Sequence, residues 1–224
     1  MLIRKCAVIF FVLYYHSIIA QDTGAVIQKL KSQLEKGQIT VSNILSDTTY
    51  MFLHPQTEFR EMIKQHAKAE RIKIVSDTEP GTRITVKCEV KNKQGKPVSG
   101  ALVYSYQTSD KGWYSDTAAH ILILMGDMKH ARLFGYVKTD KDGKFELETV
   151  KPKGYPRSDL PAHIHIAMWK DDKHVSGVPG ELQFDDDPRM TPERRKRSVQ
   201  DRNIISKNSG TTAKPVYFYE IICD

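Results

Sequence analysis

The chain has 224 residues, of which 40% are hydrophobic and 27% are charged. This composition is typical of a globular domain and excludes a disordered or fibrous chain. Lys and Arg (34) outnumber Asp and Glu (27), giving a formal charge of +7. Because no aromatic or glycine-rich nucleic-acid motif accompanies the basic excess, we expect no nucleic-acid partner.

Residues 1–20 have the pattern of a secretory signal. Arg4 and Lys5 precede an apolar run of ten residues, 6–15, and the small Ala20 stands before a polar stretch. A membrane-spanning helix needs about 20 apolar residues, so this run is too short to span a bilayer. We expect a signal peptide cleaved near Ala20, and therefore a secreted or periplasmic protein with no membrane attachment after cleavage. An uncleaved anchor is the alternative.

Residues 21–80 are predicted to form a helical arm. Apolar residues recur at helical spacing before Gly37, which we expect to end that segment. A second helical segment begins at Thr57, which is predicted to cap it. The apolar stripe of the arm offers a contact for a homodimer. The stripe positions are Ile27, Leu30 and Leu34 in the first segment and Phe59, Met62, Ile63, His66 and Ala67 in the second.

Residues 81–224 alternate polar with apolar side chains in short segments, which is typical of half-buried strands. Turn residues such as Thr139–Gly143 separate these segments, and we expect no helix between them. The predicted strands are 83–90, 101–107, 136–138, 145–150, 162–169, 181–184 and 216–222. The expected fold is therefore mainly β, an antiparallel β-sandwich core at 81–224 with an N-terminal helical arm.

Two features of this region leave alternatives open. Cys88 and Cys223 lie in predicted strands, where they form either a disulfide or two buried free thiols. The basic run Arg194–Arg197 is either a solvated charged surface or a site for proteolytic processing.

A pair of histidines is the sharpest local feature of the sequence. In Pro161–His165, His163 and His165 are two residues apart, so a strand points them to the same face, with Ile164 on the other. Two adjacent imidazoles are half of a metal site.

Two tyrosines in loops complete this candidate site. Tyr114 lies in a turn, and Tyr155 lies in a loop flanked by prolines. A phenolate is a hard, anionic oxygen donor, so two phenolates beside two neutral imidazoles suit Fe³⁺ better than zinc or copper. The predicted cofactor is therefore Fe³⁺, with Tyr114, Tyr155, His163 and His165 as the candidate donors.

At this point the chain resembles the intradiol ring-cleavage dioxygenases, non-haem iron enzymes that open catechols between the two hydroxyl-bearing carbons. The resemblance runs from about Glu79 to Phe184 and rests on several sequence blocks that occur in order. The blocks are Gly95–Val103, Asp110–Tyr114, Thr139–Phe145, Thr149–Pro152, Tyr155–Pro156 and Pro161–His165.

The resemblance implies a role for each ligand. Tyr114 would stay bound to iron, whereas Tyr155 would be the axial ligand that leaves when substrate binds and helps to take up a catechol proton. His163 and His165 match the two histidine ligands, with His165 axial. The implied partners are a catechol-type substrate and O₂, and the implied product is a muconate-type diacid.

The chain departs from the family pattern near the histidines. Leu160 stands where many members have an arginine that stabilises charge near the substrate. Arg157 is the candidate replacement, with a catalytic role beside Tyr155. An apolar Leu160 suggests a bulkier or less polar catechol. His120 and His130 lie between the two tyrosine loops, where they would line a substrate pocket or support it from the surface.

Two other functions fit parts of the pattern. A non-catalytic binding module of the transthyretin-like or carboxypeptidase-regulatory kind shares the strand and turn blocks, but it does not require the two tyrosines and two histidines together. A structural metal site of the same composition, with no open position, is the other alternative.

Overall fold

The computed structural model describes residues 23–115 and 131–224. The predicted signal peptide at 1–20, and His120 and His130, lie outside the described residues. The chain divides into two compact units, Met1–Thr40 and Val41–Asp224. Among residues 23–115 and 131–224, no helix has both the length and the apolar character that a membrane span requires.

In the first unit, residues 23–35 are helical (α1). Ile27 and Leu30 are buried, as their helical spacing predicts. Gly37 follows the helix with a φ of +65°, a conformation that glycine adopts without the steric cost paid by other residues.

The second unit begins with α2 (Val41–Ser46), a 3₁₀ helix (Thr48–Leu53) and α3 (Thr57–Gln65). Helix α3 buries Phe59, Met62 and Ile63, as predicted. Its N-cap is Gln56, so the prediction that Thr57 caps it was wrong, and Thr57 is the first helical residue.

Ten strands follow in the described residues, and seven of them overlap the seven strands predicted from the alternation. They are β1 (Arg71–Lys73), β2 (Arg83–Asn92), β3 (Leu102–Gln107), β4 (Leu133–Lys138), β5 (Lys144–Val150), β6 (His163–Lys170), β7 (Lys173–His174), β8 (Glu181–Phe184), β9 (Ile204–Ser206) and β10 (Val216–Cys223). The strand β1 lies within the predicted helical arm. A strand of three residues is too short for an alternation of polar and apolar side chains to be recognised, so the sequence did not reveal it.

The strands form two sheets. The first has the order β1-β5-β2-β10, and the second has the order β4-β3-β6-β8-β9, with β7 paired to β6. The mainly β sandwich is confirmed, but its pairing is mixed rather than purely antiparallel. The pairs β1–β5, β2–β10 and β8–β9 are parallel. Parallel pairing needs a long connection, and each of these pairs joins strands that are distant in the chain or separated by a helix.

That helix is α4 (Pro192–Gln200), so the prediction of no helix between the strands was wrong. Thr191 caps it by accepting a hydrogen bond from the Arg194 amide, and Pro192 occupies its first turn. The basic run therefore lies on a helix, where Arg194 pairs with Asp159 and Arg195 pairs with Asp185. With few apolar residues in this segment, no helical periodicity was visible.

The two sheets pack face to face around an aromatic core. Phe184 of the second sheet contacts Tyr217 of the first edge to face, with ring centroids 4.7 Å apart. The Tyr219 hydroxyl donates to the Gln183 carbonyl, and the Gln107 side chain donates to the Val150 carbonyl. Each fully buried ring of this kind contributes about 1.5–3 kcal/mol of hydrophobic stabilisation.

The cysteines are free and buried, which decides between the two alternatives. In the β2–β10 register Cys88 lies opposite Tyr219, whereas Cys223 lies opposite Asn92. Four residues of strand separate the two positions by about 13 Å, since a strand rises about 3.3 Å per residue. A disulfide needs Cα atoms within about 7 Å, so this pair cannot form one.

Candidate metal centre

Strand β6 sets the direction of the two histidines. Ile164, Ile166 and Met168 are buried in the core, whereas His163 and His165 project from the opposite face. On the neighbouring strand β8, Gln183 pairs with His163 and Glu181 pairs with His165. Paired residues share a face of the sheet, so the carboxylate of Glu181 and the amide of Gln183 join the histidines.

The His163 ring is oriented by its backbone partner. Its Nδ1 lies 2.8 Å from the Pro161 carbonyl oxygen, which can only accept a hydrogen bond. The proton of the neutral ring is therefore on Nδ1, and Nε2 presents a lone pair to the site. On the other side of the pair, Tyr106 stacks on His165, with ring centroids 4.6 Å apart and an angle of 14°.

A tight turn presents Tyr114. The Ser109 amide donates to the Trp113 carbonyl, and the Gly112 amide donates to the Ser109 carbonyl. Gly112 has a φ of +78°, which favours glycine. The Arg132 amide then donates to the Tyr114 carbonyl at 2.7 Å and fixes the far end of the turn.

The loop that carries Tyr155 packs directly against this turn. The Lys153 amide donates to the Ser109 carbonyl, and the Thr108 hydroxyl donates to the Lys153 carbonyl. A Cβ added at Gly112 would lie 2.6 Å from the Gly154 carbonyl oxygen. The absence of a side chain at Gly112 therefore lets the two tyrosine loops approach each other.

Arg189 anchors the Tyr155 loop from outside the predicted site. Its Nη1 donates to the carbonyls of Tyr155 and Leu160, both at 3.0 Å. Asp187 accepts from the Arg189 amide with one oxygen and from the Ala162 amide with the other. Sequence reasoning missed both residues, since an arginine that binds backbone carbonyls has no characteristic spacing.

Arg157 does not anchor the Tyr155 loop. It is exposed, and its side chain makes no hydrogen bond or ion pair with residues 23–115 or 131–224. Its backbone has a φ of +62°, in the turn that follows Tyr155. The catalytic role of Arg157 stays a prediction, and the guanidinium that hydrogen-bonds to the Tyr155 loop is that of Arg189.

These elements bring the four predicted ligands together. The Tyr155 hydroxyl oxygen lies 2.5 Å from that of Tyr114, 3.0 Å from His163 Nε2 and 3.2 Å from His165 Nε2. The two Nε2 atoms are 3.1 Å apart. Tyr114 and His163 are buried, whereas Tyr155 and His165 are half-buried.

The donor set fits a bound metal ion. Donors at about 2.0–2.2 Å from one ion, at angles between 90° and 109°, lie about 2.8–3.6 Å apart, and three of the four separations above fall in this range. The buried Oε1 of Gln183 also has no hydrogen-bond partner among the described residues. A buried carbonyl oxygen without a partner is costly, so this atom suits a hydroxyl or water beside the ion.

Comparisons with known proteins show what the chain is similar to. A family model described as Dioxygenase matches residues 57–224. Catechol 1,2-dioxygenase 1 of Acinetobacter lwoffii is 30% identical over 122 residues, which cover 47% of this chain and 37% of that protein. Catechol 1,2-dioxygenase of Candida albicans is 35% identical over 75 residues, covering 32% of this chain and 23% of that protein. The matches thus span less than half the length of these curated relatives.

Solved structures share the fold at low sequence identity. An intradiol ring-cleavage dioxygenase from Tetranychus urticae aligns with a TM-score of 0.55 and 17% identity, over 70% of this chain and 87% of that one. A mutant of Acinetobacter radioresistens catechol 1,2-dioxygenase aligns with a TM-score of 0.52 and 13% identity, over 70% of this chain and 57% of that one.

The family model covers most of the β-sandwich unit, including both tyrosine loops and the histidine strand, so its match extends over well more than half of the sequence. The chain belongs to the intradiol ring-cleavage dioxygenase family.

Proposed function

We propose that the protein is an intradiol dioxygenase that opens the ring of a catechol-type substrate with O₂ to give a muconate-type diacid. One observation carries this proposal: the phenol oxygen of Tyr114 and the imidazole nitrogens of His163 and His165 all lie within 3.2 Å of the Tyr155 hydroxyl oxygen. Ferric iron held by Tyr114, Tyr155, His163 and His165 would supply a Lewis acid that favours the ionised catechol.

The residues differ in how firmly they are held, which suggests their roles. Tyr114 is buried in a turn that is hydrogen-bonded at both ends, and His163 is fixed by the Pro161 carbonyl, so we assign both to permanent binding. Tyr155 is half-buried and lies in an anchored but irregular loop. Its phenolate oxygen would be the group that accepts a proton from a catechol hydroxyl.

Substrate choice and location belong to the same proposal. Leu160 is half-buried and replaces an expected arginine, which supports a less polar catechol. The charged start and the apolar run of residues 6–15 support a secreted or periplasmic enzyme that acts on phenolic compounds outside the cytoplasm.

The first prediction tests the metal and Tyr155 together. The purified protein should bind about one Fe³⁺ per chain and absorb visible light, because phenolate-to-ferric charge transfer is coloured. Tyr155→Phe should weaken or shift this band and lower the rate of catechol cleavage by roughly 100-fold, the usual effect of losing a proton-transfer group. Absorbance spectroscopy, iron analysis and oxygen uptake measure these changes.

Tyr136→Phe is the matched control, since Tyr136 is also half-buried but lies on β4 against Tyr104. It should keep both the band and the activity. A colourless parent protein after iron supplementation would favour the non-catalytic binding module. A Tyr155→Phe variant that cleaves catechols as fast as the parent would refute the role of Tyr155.

A further inference from the structure

Glu181 is a carboxylate that faces the two histidines from the next strand. It pairs with His165 in the β6–β8 register, and its side chain is 19% exposed. The donor atoms of Glu181, His163 and His165 lie within 4.8 Å of one another. The four ligands proposed above do not include this residue.

The carboxylate is held by one oxygen, which leaves the other directed at the site. Glu181 Oε2 accepts from Gln183 Nε2 at 2.6 Å and from Asn203 Nδ2 at 3.4 Å. Glu181 Oε1 lies 4.0 Å from His163 Nε2. This distance is too long for a hydrogen bond between them.

The same distance suits two ligands on widely separated sides of one ion. Donors bound at about 2.0–2.2 Å can lie up to about 4.4 Å apart when the ion is between them. All donor atoms of the cluster lie within 4.8 Å of one another, so a small movement of the Glu181 side chain is enough to bring Oε1 within reach of an ion shared with both histidines. Carboxylate oxygen is also a hard donor that suits ferric iron.

We propose that Glu181 Oε1 is a fifth protein ligand of the metal; this inference rests on the proposed function. Two phenolates and one carboxylate then balance the three charges of Fe³⁺, so the half-buried site has no net charge to desolvate.

The test measures metal binding rather than turnover. The full chain, its Glu181→Gln variant and a Glu89→Gln control are loaded with ferric citrate. The charge-transfer band is recorded, and Fe³⁺ retention is measured against a chelator. Glu89 is a fair control because its side chain is 21% exposed and pairs with Lys91 on the other sheet. Glu181→Asp keeps the charge but retracts the oxygen by one methylene.

Glu181→Gln should shift the band to longer wavelength, because an ion with one fewer anionic ligand accepts phenolate electrons more readily. Fe³⁺ retention should fall about tenfold or more. In both band wavelength and Fe³⁺ retention, Glu181→Asp should lie between Glu181→Gln and the parent. Glu89→Gln should match the parent in both. If Glu181→Gln folds, is coloured and matches the parent in wavelength and retention, the inference is wrong while the proposed function stands. A parent protein that binds no Fe³⁺ overturns both.

Discussion

At the scale of single residues, one guanidinium nitrogen holds two carbonyls that are five positions apart, Tyr155 and Leu160. The same Arg189 is tied to Asp187, which also holds the Ala162 amide beside the histidine strand. Arginine is suited to this contact, because its charge is permanent and its donors are fixed in a plane. Arg189 therefore positions the Tyr155 loop without touching any of the four donor atoms.

We expect Arg189→Gln to loosen this loop. Losing hydrogen bonds from a charged donor to two partly buried carbonyls should lower the free energy of unfolding by about 1–3 kcal/mol. It should also broaden the charge-transfer band, since Tyr155 would sample several positions. Denaturant unfolding and visible spectra of the iron-loaded protein measure the two effects. Arg197→Gln is the control, because Arg197 is exposed on α4. A variant that loses stability but keeps the parent band would show that Arg189 is structural only.

At the scale of elements, the site depends on two loops that touch through glycine. Gly112 has a φ of +78° and would place a Cβ 2.6 Å from the Gly154 carbonyl oxygen. Gly95 has nearly the same backbone, with a φ of +76°, but open space around its would-be Cβ. Comparing substitutions at Gly112 and Gly95 therefore separates the cost of the positive φ from the cost of the clash with the Gly154 carbonyl oxygen.

Gly95→Ala should therefore destabilise the fold by only about 1–2 kcal/mol, the cost of a left-handed conformation for a residue with a Cβ. Gly112→Ala should cost more and should also lower Fe³⁺ binding, because the Tyr155 loop must move away from Tyr114. Thermal unfolding and iron content of the two variants test this. Equal stability losses with equal iron content would contradict it.

The elements also show what the sequence could and could not predict. Strands such as β2 and β6 were predictable because one face is buried and the alternation is visible. The direction of His163 and His165 followed from the same period of two. The convergence of Tyr114 with Tyr155 followed only from the family resemblance, since both lie in loops where spacing sets no direction. Glu181 and Arg189 needed the register and the tertiary contacts.

At the scale of the whole molecule, Asp186 links distant segments of the sandwich. It accepts from Lys151, just after β5, and from the Tyr217 hydroxyl on β10, both at 2.8 Å. Burial acts to raise the pKa of Asp186, but these two hydrogen bonds outweigh it and hold the pKa below the usual value. The folded state thus favours the ionised carboxylate.

This shift fixes the sign of a pH effect on stability. A lowered folded pKa stabilises the protein above the unfolded pKa of about 3.9, and the contribution is lost as the pH falls through the folded pKa. Asp186→Asn should be less stable than the parent near neutral pH, by under about 1 kcal/mol because the carboxylate is partly exposed. The difference should shrink below about pH 4. The free energy of unfolding of both proteins is measured between pH 7 and pH 3. A difference between them that stays constant over this range would refute the prediction.

The two buried thiols have a practical consequence for work on the ferric centre. Burial raises the pKa of both Cys88 and Cys223, so neither side chain provides the thiolate that reacts with oxidants or alkylating agents. Since Cys88 and Cys223 form no disulfide with each other, neither of them requires dithiothreitol or a similar additive during purification in air. Such additives would strip or reduce the very ion whose colour reports on the site.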